Sequence, residues 1–297
     1  MTTNVDVFDG MSLASSYADM VRLVMSFGSE VSPRGKPNLE VRPVILSTWP
    51  NRNNLAVQDK NVSYRFAMAE LMAVVCGWYD VGWLKRFNPR IEQFSDDSST
   101  FHGSYGRRLK WQLPEALDLF SQDHLTRQVV LNIWNSELDL ATVSKDLPCN
   151  TQVLLKLRDS MASGEPPLRH LHMTVVRRSS DLIWGVPYDH VVFGGLLIAL
   201  SECLKVIPGQ LVEVIDSLHI YKPEAGFYPA ERVTAAMEVS SGPKPWSLPL
   251  PVTQGDNPVE RLEGLRNELE TVRMQVEAGV SFNPGQPHPL AVFMGVK

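Results

Sequence analysis

The chain has 297 residues, of which 44% are hydrophobic and 21% charged, proportions that are ordinary for a globular protein. Its formal net charge of -5 argues against a general nucleic-acid-binding protein, because such proteins usually carry an excess of basic residues. The three cysteines (Cys76, Cys149 and Cys203) are odd in number and widely spaced, which indicates a reduced, cytoplasmic setting rather than a disulfide framework or a metal site.

Hydrophobic spacing along the chain predicts helices and strands without regular alternation. In chain order they are a helix over residues 13–27, a strand over 39–48, a helix over 64–75, strands over 128–134, 153–157 and 172–177, a helix over 191–205, strands over 211–215 and 217–221, and a helix over 258–278. The segment Ile207-Pro208-Gly209 is expected to stop the third helix. This order predicts one α+β domain over residues 1–297.

The connections are polar or rich in proline and glycine. Loops are predicted over residues 30–37 and 88–106, a turn at MASGEPP (161–167) and a proline-rich connection over 243–251. No signal peptide is predicted, and the longest apolar run, residues 191–200, is too short to span a membrane and indicates a buried helix.

Two residues stand out before any resemblance is considered. Cys149 directly follows a proline and precedes a predicted strand in KDLPCN, a position that fits either a nucleophile or a buried structural cysteine. Glu70 lies in the apolar stretch AMAELMAVV, where a carboxylate is costly to bury without a partner, so its position indicates a function.

Six segments together resemble the thymidylate synthase family, in the family order and over most of the chain. The most specific is RSSDLIWGVPYDH (178–190), which is similar to a family signature of arginine, serine and aspartate followed by glycine, proline, an aromatic residue and asparagine. The others are VSPRG (31–35), HLTRQVVLNIWN (124–135), LPCN (147–150), DSLHIY (216–221) and PHPL (287–290).

The resemblance implies a three-layer α/β fold whose large mixed sheet forms the interface of a homodimer. It implies transfer of a one-carbon unit from 5,10-methylenetetrahydrofolate to carbon 5 of a pyrimidine nucleotide, with no metal. The expected ligands are therefore a small nucleotide and a folate, and neither a nucleic acid nor a membrane is expected as a partner.

The resemblance also implies a role for each matching residue. Cys149 would add to carbon 6 of the pyrimidine, and nearby guanidinium groups are expected to lower its pKa from about 8.5. Glu70 would organise water and proton transfers, and Tyr105 would lie near the base. The remaining roles are phosphate binding by Arg34, Arg178 and Ser179, phosphate binding by Arg127 from the neighbouring subunit, sugar contacts by His219 and Tyr221, and a pterin contact by Asp181.

Asp189 departs from the family at a position that faces the base, because the synthases carry asparagine there. An asparagine amide complements N3 and O4 of uracil. An aspartate can instead accept from the 4-amino group of cytosine, with one proton shared at N3. The same substitution marks the cytidylate hydroxymethylase branch of the family, and cytosine is therefore the predicted base.

Three further departures concern the product and the phosphate. Ile91 aligns near a position where the synthases carry a tryptophan that shields the methylene intermediate. The loss of that tryptophan predicts attack by water and a hydroxymethyl product. Asn150 replaces a histidine after the nucleophile, and Gln128 replaces the second arginine of the subunit-crossing pair. The change at Gln128 predicts weaker or rearranged phosphate binding.

Deoxycytidylate is the predicted substrate, and cytidylate is the ribonucleotide alternative. The alternatives are methylation of the same nucleotide with dihydrofolate as product, thymidylate synthesis from deoxyuridylate, and an inactive nucleotide-binding relative.

Overall fold

The computed structural model describes residues 5–160, 168–280 and 288–296 and shows a mixed α/β fold, as predicted. Its strands are β1 (Asp6–Asp9), β2 (Ser29–Val31), β3 (Asn38–Val41), β4 (Val44–Thr48), β5 (Val130–Asn132), β6 (Asn150–Ser160), β7 (Leu168–Arg177), β8 (Ser180–Asp181), β9 (Ile207–Ile215) and β10 (Leu218–Tyr221). Its helices are α1 (Tyr17–Phe27), α2 (Tyr64–Cys76), α3 (Val81–Lys85), α4 (Tyr105–Leu109), α5 (Gln112–Gln122), α6 (Ser136–Asp139), α7 (Val186–Leu204), α8 (Ala230–Met237), α9 (Pro258–Ala278) and α10 (Pro289–Met294).

The larger sheet is mixed and has six strands in the order β1-β4-β9-β7-β6-β5. β1 runs parallel to β4 and β7 parallel to β9, whereas the other neighbours are antiparallel. Every second side chain of β7 is buried, including Met173 and Val175, while Thr174 and Val176 between them are partly exposed. Because side chains alternate across a strand, one face of the sheet packs on helices and the other stays partly open.

Helices α2 and α7 form the layer on the packed face, and both are buried along most of their length. They approach so closely that a Cβ on Gly195 of α7 would lie 2.4 Å from Cδ2 of Leu71 of α2. Glycine permits this contact because it has no side chain to displace its neighbour. The contact brings Glu70 of α2 near the first turn of α7. None of the described helices combines the length and the apolar character needed to cross a membrane.

The smaller sheet, in the order β2-β3-β10-β8, joins two of the segments that carry the family resemblance. β10 and β8 are parallel, with Leu218 opposite Ser180 and His219 opposite Asp181. This register places the sugar-contact segment beside the signature segment, although the two lie far apart in sequence.

Several sequence predictions need correction. The strand predicted over 39–48 is two strands in different sheets, because Pro43 between β3 and β4 has no N–H to donate to a ladder. The strand predicted over 128–134 is only β5, and the irregular region 88–106 contains a 3₁₀ helix at Pro89–Phe94 and the start of α4. The helix predicted over 13–27 begins with a separate 3₁₀ turn before α1.

The helix predicted over residues 191–205 is α7, which begins earlier, at Val186, and ends at Leu204. The segment Ile207-Pro208-Gly209 lies inside β9 rather than in a turn. The last long helix, α9, has the predicted bounds of 258–278 and buries Leu262, Leu265, Leu269 and Val272, with Val276 partly buried. The predicted turn at 161–167 and the first residue of the PHPL segment lie outside the described residues.

Candidate active site

The cleft consists of two adjoining cavities that are open to solvent and share part of their lining. The first encloses about 860 Å³ and is walled by Trp78, Leu84 and Phe101; we call it the aromatic cavity. The second encloses about 1200 Å³ and includes Arg34 and Arg178; we call it the arginine cavity. Both are lined by Glu70, Tyr105, Cys149 and Asp189, so the four predicted catalytic residues lie where the cavities meet.

Cys149 lies directly before β6, and Arg178 holds the backbone around it. Arg178 Nε donates to the carbonyl of Pro148 at 2.9 Å, and its Nη2 donates to the carbonyl of Leu147 at 3.0 Å. The same Nη2 lies 3.8 Å from Cys149 Sγ, and Ser179 Oγ lies 3.7 Å from that sulfur. The end of β7 therefore supplies a charge and a hydroxyl to the thiol.

The expected direction of the Cys149 pKa shift is wrong. Burial raises the pKa of the thiol and outweighs the opposing influences of the Arg178 guanidinium and the Ser179 hydroxyl, and the negative charge of Asp189 raises it further. Cys149 is nevertheless partly exposed in the cleft. Cys76 and Cys203 are buried, with pKa values raised to about 12, and none of the three forms a disulfide.

Asp189 lies in the first turn of α7 and reaches the same cavities as Cys149. Its Oδ2 accepts from Asn150 Nδ2 at 3.2 Å and lies 3.4 Å from Arg177 Nη1. Burial raises the pKa of the Asp189 carboxyl, whereas Arg177 and Asn150 lower it. Asn150 therefore acts as a donor to the carboxyl at a position where the family commonly carries histidine.

Glu70 and Tyr105 complete the junction of the cavities. Within the described part of the chain, the buried Oε2 of Glu70 has no hydrogen-bond partner. Burial and the nearby charge of Asp189 raise the pKa of Glu70 well above its usual range, so this carboxyl holds its proton more tightly than one in water. Burial likewise raises the pKa of the Tyr105 hydroxyl. Such a group can deliver or take up a proton inside the cleft.

The remaining predicted residues of this chain's own site line the arginine cavity. Arg34 occupies the left-handed region with φ of 55°, which is uncommon for a residue other than glycine and occurs often at functional sites. Burial raises the pKa of Tyr221, and the positive charge of Arg34 opposes that shift. The rings of His219 and Tyr221 lie edge to face with centroids 4.9 Å apart, which fixes both on one face of β10.

Asp181 is held at the edge of the arginine cavity by bonds to one carboxylate oxygen. The backbone N–H of Ile183 and the hydroxyl of Tyr228 each donate to its Oδ1 at 3.0 Å. Burial raises the pKa of this carboxyl. These bonds orient the Asp181 carboxyl group at the cavity edge.

The aromatic cavity suits a flat heteroaromatic ligand beside the thiol. Its walls include Trp78 and Phe101, together with Ile91 and Phe94, which it shares with the arginine cavity. Apolar and aromatic walls with a few convergent polar groups are typical of cofactor sites. Within the described ranges, no three His, Cys, Asp or Glu side chains converge as a metal site would require.

Arg127 is the predicted site residue that lies elsewhere. It is exposed, and so is Gln128, and neither lines the aromatic or the arginine cavity. The other ten predicted residues are gathered in one cleft. If Arg127 binds the phosphate in a neighbouring subunit, as the family resemblance implies, it must be exposed on its own chain, and it is.

Sequence reasoning missed a buried charged cluster behind Asp189. Arg177 is fully buried, donates to Glu213 and faces Asp189, and His190 Nδ1 lies 2.8 Å from Glu213 Oε2. A signal for it existed, because Glu213 interrupts the apolar stretch QLVEVI and His190 precedes the apolar VVFGG. Ionisable residues in such stretches are rarely buried without a partner.

Comparison with known proteins agrees with the family resemblance of the sequence segments. The family model described as thymidylate synthase matches residues 15–279. The deoxyuridylate hydroxymethyltransferase of Bacillus phage SP01 is 31% identical over 237 residues, covering 74% of this chain and 60% of that protein. The protein of the same name from Pseudomonas phage M6 is 33% identical over 170 residues, covering 55% of this chain and 46% of that protein.

A bacterial protein matches over a larger share of its own length. The thymidylate synthase of Corynebacterium aurimucosum is 25% identical over 227 residues, which cover 70% of this chain and 78% of that protein. By contrast, the match spans only about half to three fifths of the length of the two phage proteins.

Proposed function

This chain belongs to the thymidylate synthase family of one-carbon transferases, and we propose that it hydroxymethylates carbon 5 of a cytidine-type nucleoside monophosphate. The working substrate is dCMP, with CMP as the ribonucleotide alternative. One observation carries the proposal, namely that the carboxyl group of Asp189 lines the same cavity as the thiol of Cys149.

The base follows from hydrogen-bond complementarity. Cytosine presents a donor at its 4-amino group, whereas uracil presents an acceptor at O4. A carboxylate accepts from the amino group but opposes the O4 lone pairs of uracil. An unsatisfied polar group in a buried site costs about 1–3 kcal/mol, and sites built around hydrogen bonds discriminate strongly. Asp189 therefore favours cytosine.

The chemistry begins at the sulfur. The thiolate of Cys149 forms a bond to carbon 6 of the pyrimidine, and the electron pair moves to carbon 5, which becomes nucleophilic. Arg178 and Ser179 stabilise the thiolate, while Arg34 and Arg178 bind the phosphate, whose geometry suits the donor fork of arginine. Glu70, with its raised pKa, exchanges protons with the base and with water.

The residues of the cleft fit the folate that this family uses. 5,10-Methylenetetrahydrofolate supplies the one-carbon unit when it is bound. Asp181 would hold its pterin ring, and the aromatic cavity would cover its flat ring system beside Cys149.

Hydroxymethyl rather than methyl is the proposed product. Carbon 5 would bond to the methylene carbon as its bonds to the folate break, and the carbon 5 proton and tetrahydrofolate would leave. Water then adds to the methylene group on carbon 5, and the bond between sulfur and carbon 6 breaks to release the enzyme. Ile91 lines both cavities and leaves the methylene less shielded than a tryptophan would. The names of the two phage relatives, which are hydroxymethyltransferases, support this outcome.

A homodimer is part of the proposal. Arg127 lies outside the cleft of its own chain, and the open face of the large sheet carries partly exposed apolar residues such as Leu154, Val176 and Val214. A second copy would cover this face and bring Arg127 to the partner's phosphate site. Mixing a Cys149→Ala subunit with an Arg127→Ala subunit should then restore activity, because half of the hybrid sites carry neither change. If the two variants exchange subunits and no activity returns, the role of Arg127 across the interface is contradicted.

The deciding experiment supplies dCMP, CMP and dUMP in turn, each with 5,10-methylenetetrahydrofolate, and identifies products by mass spectrometry. A 5-hydroxymethylcytidine nucleotide supports the proposal. The second candidate, hydroxymethylation of dUMP, is favoured by the names of the phage relatives and would give a 5-hydroxymethyluridine nucleotide.

Two further readings separate the remaining alternatives. Dihydrofolate absorbance during turnover would identify methylation of the cytidine nucleotide, or thymidylate synthesis where dUMP is the substrate. Nucleotide binding without release of tritium from carbon 5 would identify an inactive relative.

A further inference from the structure

Behind Asp189 lies a row of buried ionisable side chains that the transfer reaction itself does not use. Arg177 at the end of β7 is fully buried between two carboxyl groups, Asp189 of α7 and Glu213 of β9. Glu213 is also fully buried, and its second oxygen lies 2.8 Å from Nδ1 of His190. Burying three ionisable groups is costly unless each is paired, so their arrangement constrains the orientation of every member.

The contacts made to Asp189 are unequal at its two oxygens. Arg177 Nη1 and Asn150 Nδ2 both approach Oδ2, at 3.4 and 3.2 Å. Among the described residues, no hydrogen bond or ion pair is made to Oδ1. The side chain retains 16% of its exposure and lines the cavity with Cys149, so Oδ1 is the oxygen available to a nucleotide.

We propose that Arg177, fixed by Glu213 and His190, is the positioning residue that holds Oδ2 of Asp189 and presents Oδ1 to the 4-amino group of cytosine. This inference rests on the proposed function. It adds a determinant of base preference that touches neither the nucleotide nor the folate. Arg177 cannot be deprotonated, so it also favours the ionised, accepting form of the carboxyl group.

The charges around Asp189 come from several elements. Arg177 of β7 and Asn150 of β6 lower the pKa of its carboxyl, while burial and Glu213 of β9 raise it. Glu70 of α2, Tyr105 of α4 and Cys149 also interact electrostatically with Asp189. Arg177 is the largest of the influences that lower the pKa of Asp189, although burial outweighs it.

The test compares two variants that should act in opposite directions. In Arg177→Gln/Glu213→Gln, which keeps the buried site neutral, the pKa of Asp189 rises, so dCMP binding, which needs the ionised carboxylate, should be lost at higher pH than in the wild type. In Glu213→Gln alone, the negative charge that competes with Asp189 for Arg177 is removed, so dCMP binding should persist to lower pH. The measurement is the dissociation constant of dCMP and of dUMP across the acid range, by titration calorimetry.

Base preference gives the second readout. The double variant should lose about tenfold to hundredfold in the ratio of kcat/KM for dCMP to that for dUMP, because Asp189 loses the charged partner that orients it. Arg232→Gln/Asp59→Asn is the matched control, since it neutralises another buried ion pair that lies outside the cleft. It should leave the pH midpoint and the base ratio unchanged, with thermal unfolding confirming that all variants fold.

The outcomes separate the inference from the proposed function. A wild-type protein that prefers dUMP would overturn the assignment of cytosine, while the opposed pH shifts would still test Arg177. Shifts in the same direction, or no shift, would overturn the role of Arg177 even in an enzyme with a strong preference for dCMP.

Discussion

Two consecutive arginines at the end of β7 occupy opposite environments. Arg177 is fully buried and pairs with Asp189 and Glu213, at what we propose is the base end of the cleft. Arg178 is exposed and binds the carbonyls of the Cys149 loop, at what we propose is the phosphate end. Arg177 is the last residue of β7 and Arg178 lies in the bend that follows, so a single residue separates the buried end of the strand from the exposed turn.

The difference shows how charge acts at each end. At the exposed end, water screens an arginine, so Arg178 acts through direct contacts, which here reach the Cys149 loop and its sulfur. At the buried end, a charge has no water to compensate it, so the orientation of Arg177 is constrained by its ion-pair partners. Under our proposals, Arg178 would affect affinity for any nucleotide monophosphate, and Arg177 would affect the choice of base.

Cys149 lies between the two ends, and its removal should have the largest effect. Cys149→Ala is expected to lower kcat by about 10⁴-fold or more, because Cys149 is the one thiol among the described residues that line the cleft and would form the covalent bond to carbon 6. Product formation by mass spectrometry checks this. Cys203→Ala, which changes a buried cysteine outside the cleft, is the matched control and should stay active. Substantial turnover by Cys149→Ala would refute the covalent route.

At the base end, Asp189→Asn should exchange the preferred substrate. The amide complements uracil instead of cytosine, so the ratio of kcat/KM for dCMP to that for dUMP should fall by about 10²-fold. Parallel assays with the two nucleotides measure this ratio. An unchanged ratio would show that residue 189 does not contact the base edge.

At the phosphate end, Arg178→Ala should raise the KM for the nucleotide about tenfold or more without changing the base ratio. It should also slow alkylation of Cys149 by iodoacetamide at neutral pH. Arg178 lowers the pKa of the thiol, so its loss moves thiolate formation to higher pH. Arg169→Ala, which changes an arginine at the other end of β7, should match the wild type in both assays.

Ser179→Ala should have the smallest effect, about twofold to fivefold in kcat/KM, because it removes an uncharged hydroxyl whose contacts are long, at 3.7 Å to Cys149 Sγ and 3.4 Å to Arg178 Nη1. The alkylation midpoint should move slightly upward, since the hydroxyl also lowers the pKa of Cys149. A loss as large as that of Arg178→Ala would show that the phosphate end does not act mainly through charge.

Much of the cleft could be predicted from the sequence. The segments around Cys149, Arg178 and His219 carry side chains of fixed chemical type in a fixed order, and local patterns of that kind survive without knowledge of the fold. The bounds of α9 could likewise be predicted, because its apolar residues recur at helical spacing. In the structure, the side chain of Asn257 caps the start of this helix. The predicted strand over 39–48 failed because the chain changes sheets at Pro43, and only pairing with distant strands shows this.

The sequence by itself determined which chemical groups the cleft contains, including a carboxylate at position 189 in place of an amide. Tertiary structure decided which of two adjacent arginines is buried, and it reversed the expected shift in the pKa of Cys149. The physical reason is that desolvation and ion pairing depend on what surrounds a group in space. Glu213, the main partner of Arg177, lies 36 residues away along the chain, so no local pattern could reveal the pair.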